Sequence, residues 1–86
     1  MRVRVDVRLK AAVLDPQGAA VSEGLRRLGF EEVTSARVGK VIELELGEGV
    51  GDAASAQRRV AEMCDKLLAN PVIEDFTVTL ADAPEV

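Results

Sequence analysis

Arg2-Val3-Arg4-Val5-Asp6-Val7-Arg8-Leu9-Lys10 sets an apolar residue at every second position and a charge between each pair. Side chains of a strand alternate between faces, so Val3, Val5, Val7 and Leu9 predict a strand with one buried face. Arg2, Arg4, Arg8 and Lys10 then share the opposite face. The same period recurs twice. Ile42, Leu44 and Leu46 alternate with Glu43 and Glu45, and Phe76, Val78 and Leu80 alternate with Thr77 and Thr79. A further strand is expected over residues 32–38, joined to the next by a tight reversal at Gly39-Lys40. A two-residue loop there would turn Arg37 toward the core, and an unpaired buried arginine is costly. A longer loop, turning Ala36 and Val38 inward, is the preferred register.

Two helical patterns separate these strands. Asp15-Pro16-Gln17-Gly18 offers a capping carboxylate and a proline suited to the first helical position. Val21, Leu25 and Leu28 follow as one apolar stripe, and Gly29 supplies a left-handed stop. After the glycine-rich connection 47–51, Asp52 caps a second helix with the stripe Ala56, Val60, Met63 and Leu67, widened by Cys64 and Leu68. Glu62 and Lys66 have the spacing of an ion pair on its wet face, and Asn70-Pro71 ends it. The order is β-α-β-β-α-β. Right-handed crossovers and antiparallel neighbours convert that order into an α+β, ferredoxin-like fold. It has a four-stranded antiparallel sheet with both helices on one face. Residues 1–80 form a single domain on this reading, and 81–86 a loose tail. The face carrying Arg2, Arg4, Arg8 and Lys10 beside Glu43 and Glu45 reads as solvated, with cross-strand charge pairs.

Composition narrows function by exclusion. The 86 residues hold no histidine, one cysteine and two phenylalanines, with a net charge of −4. A nucleic-acid binder would show a basic surface and aromatic stacking platforms. Lack of histidine removes the commonest general base and metal ligand. Cys64, next to the apolar stripe of the second helix, reads as a buried, inert thiol suited to a reducing cytosol. The glycines at 47–51 lack the lysine and Ser/Thr of a phosphate loop. Paired carboxylates such as Glu74 and Asp75 point to opposite faces of a strand. No 18-residue apolar run could span a membrane. Catalytic, cofactor and metal residues are therefore expected to be absent. What remains is a binding or scaffolding domain, with a core thin enough that oligomerisation would help it.

Three stretches carry a resemblance. They are Val13-Leu14-Asp15-Pro16-Gln17-Gly18 leading to Leu28-Gly29-Phe30, then Arg37-Val38-Gly39-Lys40 before Ile42-Glu43-Leu44, and then Met63 to Phe76. In this order and spacing the chain resembles the PurS family, the small subunit of phosphoribosylformylglycinamidine synthase. That resemblance implies a cytoplasmic, non-catalytic subunit of a purine-biosynthetic ligase. It would act as a dimer or tetramer and join a glutaminase subunit to a large synthetase subunit, the latter using ATP and magnesium. Phe76 stands where many relatives would have tyrosine. Arg37, Lys40, Asp15 and Gln17 are the candidate partner-interface residues. The competing reading is an ACT-like regulatory domain binding a small metabolite at a dimer interface.

Overall fold

The computed structural model describes residues 1–81, and the expected loose tail lies, from residue 82 on, outside them. β1 (Arg2–Leu9) is followed by α1 (Pro16–Arg27), β2 (Lys40–Glu45), a 3-10 turn (Glu48–Val50), α2 (Ala53–Met63), a π turn (Cys64–Leu68) and β3 (Glu74–Ala81). β1 lies at the centre of an antiparallel sheet ordered β2-β1-β3. Val3, Val5 and Val7 pair with Leu44, Ile42 and Lys40 on one side and with Leu80, Val78 and Phe76 on the other. The period-2 valines consequently lie under both neighbours and are at most 1% exposed. α2 and the π turn after it cover this face with Ala56, Val60 and Cys64, all fully buried, and Met63, Leu68, Ile42, Leu44, Leu46, Phe76, Val78 and Leu80 border the cluster.

Local rules hold at the helix ends. Gly29 has φ 102°, and the Phe30 and Gly29 N–H groups donate to the Leu25 and Arg26 carbonyls, so α1 stops in a Schellman turn. The Asp52 carboxylate accepts from the Ser55 N–H. Past Met63 the helix widens for one turn, the Ala69 N–H reaching the Cys64 carbonyl five residues back. The wet face pairs differently from expectation: Glu62 meets Arg59, one turn before it, at 3.0 Å rather than Lys66, one turn after it. On the open sheet face Arg2 lies 3.7 Å from Glu45, and Arg4 turns along its own strand to Asp6 at 3.1 Å.

The larger correction concerns the fourth strand and the first helix. Three strands, not four, form the sheet among the described residues, and no hairpin closes at Gly39-Lys40. Residues 33–39 pair with no strand and lead directly into β2. Bonds from the β1–α1 loop hold that segment past the end of β1, so it never folds back along the outer edge of β2. α1 follows it outward and packs on neither α2 nor the sheet. Its stripe is consequently open, with Val21 45% and Leu28 74% exposed. The chain extends 50 Å along its longest axis, with a radius of gyration of 16.3 Å against about 12 Å for a compact chain of this length.

Candidate partner interface

The corner where β1 gives way to α1 is built around one carboxylate. One Asp15 oxygen accepts the Gly18 N–H at 2.8 Å, capping α1. The other accepts the Val38 N–H, also at 2.8 Å, tying the segment before β2 to the same corner. Asp15 is 7% exposed. Hydrogen bonds from Gly18 and Val38, with the Arg37 guanidinium nearby, hold its carboxyl below the usual range although burial opposes them. Gly18 allows the approach, since a Cβ there would collide with the Ala36 carbonyl oxygen. At Gly39 a Cβ would stand 2.7 Å from the Val7 carbonyl oxygen. One Arg37 nitrogen reaches the carbonyls of Leu9, Lys10 and Val13 at 3.3, 3.0 and 3.3 Å. Two motifs, 23 residues apart at the Asp15–Val38 bond, are thus a single bonded knot.

Asp15, Gln17 and Lys40 come together on one shallow depression of about 290 Å³, beside Pro16, Arg8 and Glu74. Gln17 and Lys40 are exposed there. Arg37 is exposed too, but its guanidinium is committed to the loop carbonyls. The depression mixes acid and base without a convergent nucleophile, and among the described residues no three His, Cys, Asp or Glu side chains are grouped to hold a metal. Burial, then the neighbouring Asp65, pushes the Cys64 thiol up, away from the reactive thiolate. Among the described residues, no helix is long and apolar enough to cross a membrane.

A second such surface was not foreseen from the sequence. Leu44, Met63, Leu67 and Leu68 line an apolar groove of about 410 Å³, rimmed by Arg59, Glu62 and Lys66. Leu67 is 84% exposed. Both the groove and the α1 stripe were visible as apolar spacing, but spacing does not say which element covers which.

The family model described as PurS, phosphoribosylformylglycinamidine (FGAM) synthase, matches residues 2–82. The chain belongs to the PurS family. It is 48% identical over 73 residues to the phosphoribosylformylglycinamidine synthase subunit PurS of Synechocystis, covering 85% of this chain and 71% of that one. Superposition on PurS of Methanocaldococcus jannaschii gives a TM-score of 0.81 at 36% identity over 91% of this chain and 92% of that one. That PurS is described as one of the subunits of formylglycinamide ribonucleotide amidotransferase in the purine biosynthetic pathway. A chain in the structure of PurLQS from Thermotoga maritima matches with a TM-score of 0.80 at 32% identity, over 91% and 93% of the two chains.

Proposed function

We propose that this chain is the non-catalytic small subunit of phosphoribosylformylglycinamidine synthase, acting in the cytoplasm in the fourth step of purine biosynthesis. It holds the glutaminase against the ATP- and magnesium-dependent synthetase and limits escape of the ammonia passing between them. It acts as a homodimer, in which the sheet reaches its ferredoxin-like count of four strands. The observation that carries the reading is a near full-length likeness to a chain of a PurLQS structure in a molecule whose polar corner and apolar helix stripe both face outward. Arg37, Lys40, Asp15 and Gln17 belong to the partner-facing corner. Asp15 and Arg37 shape it from within, and Lys40 and Gln17 offer the contacts.

The test is product formation by the glutaminase and synthetase of the same genome, with and without this chain. Restored glutamine-dependent turnover, with ammonia-dependent turnover little changed, is the expected result. No effect on either rate and no co-elution would overturn the reading. Saturable stabilisation of the isolated chain by a small metabolite would then favour a regulatory domain.

A further inference from the structure

The start of β2 gathers positive charge in a chain whose net charge is −4. Arg8, Gly39 and Lys40 line the depression of about 290 Å³ beside Asp15 and Gln17. They also line a neighbouring one of about 220 Å³, which adds Asp6, Arg37 and Val41. Three carboxylates share these walls, and each is already engaged. Asp6 receives the Arg4 guanidinium on both oxygens, at 3.1 to 3.3 Å. Asp15 holds the Gly18 and Val38 N–H groups. One Glu74 oxygen accepts the Asn70 N–H at 2.7 Å. The cations are in a different position. Arg8 and Lys40 are exposed and make no ion pair or side-chain hydrogen bond among the described residues. Asp75 lies opposite Arg8 in the β1–β3 register without forming an ion pair with it. Arg37 sets its guanidinium on three neutral carbonyls, which hold it in place without an ion pair.

We propose that this notch receives a carboxylate-bearing segment of a partner subunit. Arg8 and Lys40 pair with its acidic side chains over the bare backbone of Gly39. The inference rests on the subunit reading above and names the chemistry by which one partner is held. Gly39 keeps the floor open, since a Cβ there would stand 2.7 Å from the Val7 carbonyl oxygen and 3.5 Å from the Arg8 Cβ. Shape decides between a protein segment and a free anion. A phosphate or nucleotide is held by polar groups that converge in an enclosed cleft. These cations stand in water on shallow walls, where salt screens a lone ion within about 10 Å at 0.1 M. An acidic surface meets several of them at once, and their field steers it on approach. The bonded corner also fixes the backbone that carries Lys40, so the partner meets a rigid site.

The test titrates the purified glutaminase and, separately, the synthetase of the same genome onto the full chain and its Arg8→Gln/Lys40→Gln variant. Each titration is run at about 50 and about 500 mM salt. Glutamine removes the charges without setting a second carboxylate opposite Asp75. The parent is expected to bind one of the two subunits about tenfold more tightly than the variant at the lower salt. The gap should close to about twofold at the higher salt. Arg58→Gln, on the exposed side of α2, should change neither affinity. An equal loss there would make the effect one of net charge and would overturn the notch. Equal binding of parent and variant to both subunits would overturn it too, as would a loss that salt does not shrink. A fall in the variant's own mass by light scattering would give these cations to a second copy instead. Millimolar inorganic phosphate that raised the melting temperature of the parent and not of the variant would give the notch to a free anion. A parent that binds neither subunit would sink the subunit reading and this inference together. A parent that binds, matched by its variant, would sink the inference alone.

Discussion

Asp15 shows how one carboxylate can serve two segments, and its titration reports both. Its lowered pKa means that the folded state holds the charged form more tightly than the unfolded chain does. That stability is fully present above the ordinary value of 3.8 and is lost as pH falls through the lowered folded value. Asp15→Asn should therefore melt about 5–10 °C below the parent at pH 7, with the gap shrinking below about pH 4. Thermal melts across that range decide it, and a gap constant with pH would remove the carboxylate from the account. Arg37 and Lys40 separate in the same way. Arg37→Ala should lower the melting temperature by about 5 °C, because three loop carbonyls lose their donor. Lys40→Ala should leave melting within about 2 °C, as exposed substitutions do, and weaken co-elution with the glutaminase and synthetase. Loss of stability in Lys40→Ala with assembly intact would reverse the assignment. The sequence made Asp15 legible as a cap, since Asp-Pro at a helix start has a local cause. The bond to Val38 spans 23 residues and left no local sign.

At the scale of elements, what the sequence showed was decided by whether the stabilising partner lay nearby. β1 was legible because its alternation is complete, and α2 because its stripe meets β1 directly. The strand expected at 32–38 has the right composition, yet pairing needs a neighbour that this chain does not bring to it. The α1 stripe was read correctly as apolar and wrongly as covered. Leu28 turns that distinction into a measurement. If its 74% exposure persists in solution, Leu28→Glu should shift stability by no more than about 0.5 kcal/mol, as a surface change does. If a second copy covers the stripe, the buried charge should dissociate the dimer. Light scattering of the variant at micromolar concentration is expected to show the monomer mass. Cys64 gives the contrary control. Buried beneath α2 with its pKa raised, it should resist thiol reagents in the native protein and react promptly in denaturant.

For the whole molecule, shape and stability are one question. A chain this small buries about 60–65% of the surface its unfolded form exposes even when compact. This one keeps a helix and a strand-length segment away from its core, and its 16.3 Å radius of gyration records that. The seam between the three-stranded sheet and α2 with its π turn holds nearly all the buried apolar side chains. α1 has its cap and its Schellman turn, but 12 residues are marginal as a helix without a packed face. Folding and association should therefore be a single transition, with stability set by mass action. Raising the protein concentration tenfold should raise the melting temperature by about 3–5 °C for a dimer of this total length. A melting temperature independent of concentration, with a monomer mass throughout, would mean that the body under α2 folds alone. The outward arm would then be available to the glutaminase or the synthetase instead of to a second copy.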